Sequence, residues 1–166
     1  ATHLPRMPHY IGVYCARQCP ADSGDFRVAQ ILHALPIQAK RKHVYKALTE
    51  QDGLRNWWTR YTMAEPTVGY VNQFGFGGEF KFLMRIDDLV RDELVQWTCL
   101  EGHEEWVDTK LEFRLGDLPD KAVTIVHFAH TEWLSEDGAC AQCSYDWAQY
   151  LRSLKLYLEK GQGTPS

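Results

Sequence analysis

Four of the five cysteines fall into two pairs, Cys15-x3-Cys19 near the start of the chain and Cys140-x2-Cys143 far along it. Thiolates hold zinc in closed four-ligand sites, so Cys15, Cys19, Cys140 and Cys143 are the candidate metal ligands. Their spacing is loose, and no zinc-ribbon turn surrounds either pair. A redox CxxC would follow a βαβ pattern, and none precedes Cys140. Free thiols packed under the N-terminal segment are the expected state, with zinc as the outside alternative. His127 is the candidate proton carrier, because imidazole titrates near neutral pH. Val123, Ile125 and His127 share one face of their segment, and Thr124, Val126 and Phe128 share the other. Both faces are partly apolar, so alternation leaves the direction of His127 open. Pointing inward beside an acid or a hydroxyl, it would be an acid–base or would orient a ligand. A structural, hydrogen-bonded histidine is the commoner outcome.

Two further patterns carry less. Gly75-x-Gly77-Gly78 lacks the Lys-Ser/Thr of a phosphate loop and sits between strand patterns, so a flexible hairpin is expected. Glu101, His103, Glu104 and Glu105 hold oxygen ligands suited to a hard cation, yet a solvated loop is the ordinary reading of such a run. The aromatic set is larger: Trp57, Trp58, Phe74, Phe76, Phe82, Trp97, Trp106, Phe113 and Trp147. Aromatic side chains dominate both cores and ligand cavities. Taken together they point to a cavity of roughly 300–1,000 Å³, lined by Trp57, Phe82, Trp97, Thr109, His127 and Trp147.

The elements that must position these residues follow from periodicity. Alternation marks a strand over 26–37, ended by Pro36. Val44, Ala47 and Leu48 share one face of a helix over 40–49; Gly53 breaks it, and a second short helix over 54–59 carries Trp57 and Trp58. Strands are expected over 67–74, 79–86, 93–99, 106–115 and 122–130, with Asp87-Asp88 as a turn. The segment 106–115 is the plainest, with Thr109, Leu111, Phe113 and Leu115 alternating with Lys110, Glu112 and Arg114. Finally Cys140, Cys143, Trp147, Tyr150, Leu151, Leu154 and Leu158 form one apolar stripe on a helix over 138–160, closed by Gly161. A sheet with one apolar face must bury it, and only this helix is long enough to cover it. The fold expected is therefore α+β: a curved antiparallel sheet of about six strands wrapped around a long C-terminal helix, the helix-grip arrangement, with two short helices after the first strand. Residues 1–25 read as a partly ordered N-terminal extension, with Met7 as the expected natural start, 26–161 as the domain and 162–166 as a tail.

Composition bounds the function. A chain of 166 residues with 45% hydrophobic and 24% charged residues is one ordinary globular domain. A net charge of −4, with no basic run longer than Lys40-Arg41-Lys42, argues against nucleic acid as a partner. No segment reaches membrane-spanning length, and no signal pattern is present, so no membrane span and a cytoplasmic location are expected. No motif calls for a cofactor.

The stretch Val44-Tyr45-Lys46-Ala47-Leu48-Thr49-Glu50-Gln51-Asp52-Gly53-Leu54, ending at Trp57-Trp58, resembles the opening signature of the activator of heat shock protein 90 ATPase homologue family. Trp147-Ala148-Gln149-Tyr150-Leu151-Arg152-Ser153-Leu154-Lys155, followed by Tyr157-Leu158-Glu159-Lys160-Gly161, resembles its closing signature. Trp106-Val107-Asp108-Thr109 and Val126-His127 fit its middle strands. The family is part of the START-like, birch-pollen-allergen-like (SRPBCC) superfamily, and the resemblance covers about 26–161. It implies a sheet–helix cavity for a hydrophobic or aromatic small molecule; some superfamily members are polyketide cyclases or aromatases. No counterpart of the eukaryotic co-chaperone's additional N-terminal domain is expected in this chain, and no universal catalytic residue transfers. Three readings follow: a binder of an apolar small molecule, a cyclase-like enzyme using His127, and a co-chaperone-like module that stimulates a heat shock protein ATPase.

Overall fold

The computed structural model describes residues 29–77, 81–118 and 122–166. The proposed N-terminal extension, with Cys15 and Cys19, lies outside the described residues. The chain runs β1 (Ala29–Ile37), α1 (Arg41–Thr49), α2 (Gln51–Trp57), β2 (Tyr61–Met63), β3 (Val71–Gly75), β4 (Lys81–Val90), β5 (Leu94–Glu101), a 3₁₀ turn (Glu104–Trp106), β6 (Lys110–Asp117), β7 (Thr124–Trp133) and α3 (Ala139–Lys160). The strands form one antiparallel sheet in the order β1-β7-β6-β5-β4-β3-β2. This is the helix-grip fold, with α3 held against the sheet.

Alternation builds the inner face. On β6, Leu111, Phe113 and Leu115 are buried, while Lys110 and Arg114 are exposed. On β4, Phe82, Met84 and Ile86 turn inward between exposed Lys81 and Arg85. On β7, Thr124, Val126, Phe128 and His130 turn inward. Glu132 then takes a positive φ of 66°, and the pairing with β1 shifts register between Ala29 and Ile31. An extra residue of this kind resets the pleat, so Trp133 is buried as well.

The 22 residues of α3 extend about 33 Å. Its buried stripe is Cys140, Cys143, Trp147, Leu151, Ser153 and Leu154. Gly161, left-handed at φ 77°, closes it, and its N–H bonds to the Tyr157 carbonyl at 2.9 Å. Helices α1 and α2 pack on each other and on the C-terminal part of the same interior. Gly53 permits this: a Cβ there would lie 2.6 Å from Ala47 Cα.

Several expected boundaries move. A seventh strand, β2, is present. The Asp87-Asp88 turn is instead part of β4, because a bulge between Ile86 and Asp88 absorbs the irregularity and the chain reverses at 91–93. Asp87 accepts bonds from Arg85 and Thr98 across the outer face. Trp106 belongs to the 3₁₀ turn before β6 rather than to the strand, and α2 begins at Gln51, ahead of Gly53.

Candidate functional site

The interior is a continuous aromatic stack. Trp58 lies between Trp57 and Trp97, nearly parallel to both, at centroid distances of 5.9 and 5.8 Å. Trp147, from the middle of α3, reaches Trp58 at 5.3 Å and Phe128 at 4.4 Å. The Trp57 indole N–H donates to the Ala47 carbonyl at 2.8 Å, fixing α2 on α1.

A directed hydrogen-bond chain runs beneath Trp147. An indole N–H only donates, so the 3.1 Å contact from Trp147 Nε1 makes His130 Nδ1 the acceptor. The His130 proton then sits on Nε2 and is donated to Thr109 Oγ1 at 2.8 Å. Thr109 in turn donates to the Trp106 carbonyl at 2.6 Å. Every member is satisfied, and the imidazole is neutral. Burial without a compensating charge pushes its pKa down to about 3.

At the N-terminal end of α3 the stack opens into a pocket of about 440 Å³. Its apolar wall is Trp58, Phe76, Phe82, Trp106, Trp147 and Tyr150. Its polar rim comes from two elements facing each other. His103 and Glu105 stand on the connection from β5 to β6, and Gln142 and Asp146 stand on α3; Gly138, Ala139 and Cys143 complete the lining. Phe82 reaches this place because Gly102 leaves room for its ring: a Cβ on Gly102 would collide with it. Glu105 sits against the helix start, its carboxylate 3.4 Å from where a Cβ on Gly138 would be. The α3 terminus has no side-chain cap and no acid in its first turn, so Glu105 supplies the negative charge that end favours. Gln142 Nε2 donates to Asp146 at 3.3 Å, one turn apart.

The six residues expected to line a cavity separate. Phe82 and Trp147 line the pocket. Trp57 and Trp97 are packed in the core, and Thr109 is held by His130. His127 is corrected: it points outward and is exposed, because the inward set on β7 is the even-numbered one. The buried histidine is His130, three residues on. Sequence reasoning missed it because both faces of the strand carry apolar residues. In the sequence, His103 and Glu105 fall in a run that reads as a solvated loop, and no motif marks Gln142 or Asp146. The available signal for the last two was their position one residue before Cys143 and Trp147 on α3.

The described cysteines, Cys99, Cys140 and Cys143, are free thiols. Desolvation raises Cys143 to about 11, countered in part by the bond its Sγ accepts from Trp106 Nε1 at 3.1 Å. Desolvation also raises Cys140, and raises Cys99 to about 12. A protonated thiol is a weak nucleophile and a weak metal ligand. Among the described residues, no group of three or more His, Cys, Asp or Glu is arranged to hold a metal ion. Among the same residues, no helix is long and apolar enough to cross a membrane.

A seven-stranded sheet gripping one long helix, with an aromatic pocket at the helix start, defines a START-like domain. The family of Activator of Hsp90 ATPase homolog 1-like proteins matches residues 38–159, and the chain belongs to that family. Among solved structures it is similar to the Aha1 dimer from Colwellia psychrerythraea, with 33% identity and a TM-score of 0.73, over 81% of this chain and 99% of that one. It is also similar in fold to CalU16 from Micromonospora echinospora, with 17% identity and a TM-score of 0.66, over 82% and 78%. A third relative in fold is DynU16, a protein of the dynemicin biosynthetic locus, with 18% identity and a TM-score of 0.67, over 81% and 48%. No curated protein sequence matches the chain.

Proposed function

We propose that the chain binds a small molecule with a flat or compact apolar body in the pocket at the start of α3. The observation that carries this reading is the pocket itself: about 440 Å³ of space lined by six aromatic side chains and four polar ones, His103, Glu105, Gln142 and Asp146. Ligand sites have this division, apolar wall for affinity and few polar groups for orientation. Native mass spectrometry of protein purified from its host tests it. A retained apolar or aromatic molecule is expected. Empty spectra, together with no change in tryptophan emission across a panel of aromatic compounds, would reject the reading.

A co-chaperone-like role is the second reading, favoured by membership of the family. It draws on an apolar edge: Tyr61, Met63 and Val68 are 73%, 55% and 56% exposed at and beside the edge strand β2. Failure of the chain to bind the host's heat shock protein 90 in calorimetry would end it. The cyclase-like reading has lost the residue it rested on, since His127 faces away from the pocket.

A further inference from the structure

We propose that the pocket selects a cation, an ammonium group carried on an apolar or aromatic body. The inference rests on the ligand-binding reading above and adds the charge of the ligand. Two observations of different kinds lead to it. The first is the wall. The faces of aromatic rings are electronegative, and a cation held over them is attracted, most strongly by tryptophan; three of the six wall residues are tryptophans. The second is the rim. Glu105, from the β5–β6 connection, and Asp146, from α3, both line it, and among the described residues no lysine or arginine does. Neither carboxylate takes part in any of the ion pairs formed among the described residues. Among the described residues, the hydrogen bond Asp146 accepts comes from the neutral amide of Gln142.

Magnitudes decide the sign of the site. The start of α3 contributes about half a positive charge. His103, if protonated, contributes one more. Two carboxylates outweigh both, so the rim is negative at neutral pH. A carboxylate or phosphate ligand would meet two like charges in a partly water-excluded space, and a neutral ligand would leave the rim unused. An ammonium would face the aromatic wall and both acids together.

A matched trio of phenols tests the charge alone: (4-hydroxyphenyl)trimethylammonium, its neutral isostere 4-tert-butylphenol, and 4-hydroxybenzenesulfonate, titrated into the intact protein by calorimetry at neutral pH. The ammonium is expected to bind roughly tenfold more tightly than the tert-butyl compound, and the sulfonate most weakly. Added salt should weaken the ammonium and leave the neutral compound unchanged. The double variant Glu105→Gln with Asp146→Asn should narrow the gap between the ammonium and the neutral isostere several-fold and remove most of its salt dependence, leaving the part that the aromatic wall supplies. Equal affinities for all three, or tightest binding of the sulfonate, overturn the charge selection and leave the ligand-binding reading standing. No binding of any of them overturns both.

Discussion

The two halves of α3 face the same sheet yet meet different interiors. From Trp147 toward its C-terminus, the helix presents Leu151 and Leu154, fully buried in a core that α1 and α2 complete with Val44, Leu48, Leu54 and Trp57. From Trp147 back toward its start, it presents Cys143, Asp146, Gln142 and Ala139 to a pocket. The supply of apolar side chains does not explain the difference, since tryptophans stand on both sides. What differs is the covering element. Helices α1 and α2 end at Trp57, and Trp58 is the last side chain they contribute; it is buried and also lines the pocket. Beyond it the β5–β6 connection covers the helix start with His103 and Glu105 rather than with aliphatic residues. One half is therefore solid, and the other leaves a pocket.

The largest effect is expected in the solid half. Trp57→Ala removes a side chain with no solvent exposure and leaves the Ala47 carbonyl without its donor. It should cost about 3–5 kcal/mol in urea unfolding. A cost under about 1 kcal/mol would mean that this half is as loose as the other, and the comparison would fail.

The border between the halves comes next. His130→Ala leaves the buried Trp147 N–H unpartnered and takes from Thr109 Oγ1 the donor it accepts from, at about 1–3 kcal/mol. Its pH signature is specific. His130 titrates near 6.5 when unfolded and at about 3 when folded, so between these values the unfolded chain holds more protons. Its contribution is fully present above pH 6.5 and is lost as pH falls toward 3. Urea unfolding of the wild type should show this decline, and the variant should lack that component. His127→Ala, from the exposed side of the same strand, should change stability by less than about 0.5 kcal/mol. The two variants separate a histidine that belongs to the interior from one that does not.

That pair also marks how far the sequence could be read. The stripe on α3 and the alternation on β6 were legible because each has one apolar face and one charged face. β7 was not, since Val123 and Ile125 are as apolar as Val126 and Phe128, and the bulge at Glu132 that turns Trp133 inward leaves no mark in composition. β2 is three residues long, too short for any period. The pocket was harder still. Phe82 and Trp147 were found by residue type, but Glu105 and Asp146 line one pocket only because the β5–β6 connection folds against the start of α3. Such a shared lining is tertiary and has no local pattern.

Within the open half, Gly102→Ala should act through Phe82. The added methyl collides with the ring, which must tilt into the pocket, so ligand affinity should fall several-fold while stability drops by roughly 1–3 kcal/mol. Unchanged affinity would remove Phe82 from the wall.

The smallest effect on stability, and the sharpest on binding, is expected from Gln142→Trp. Gln142 is exposed on α3 and lines the pocket, and its side chain donates to Asp146. Tryptophan is tolerated in a helix nearly as well as glutamine, and the new indole has the aromatic wall to lie against. If the space is a binding site, the indole takes the ligand's place. Unfolding should then shift by less than about 0.5 kcal/mol, while retention of any molecule in native mass spectrometry and all phenol binding are lost. The same substitution in the solid half would have no room to succeed, as Gly53 shows: even a methyl there meets Ala47. A Gln142→Trp protein that still binds as the wild type does would place the ligand elsewhere. The opening beside α3 would then be an unfilled end of the core.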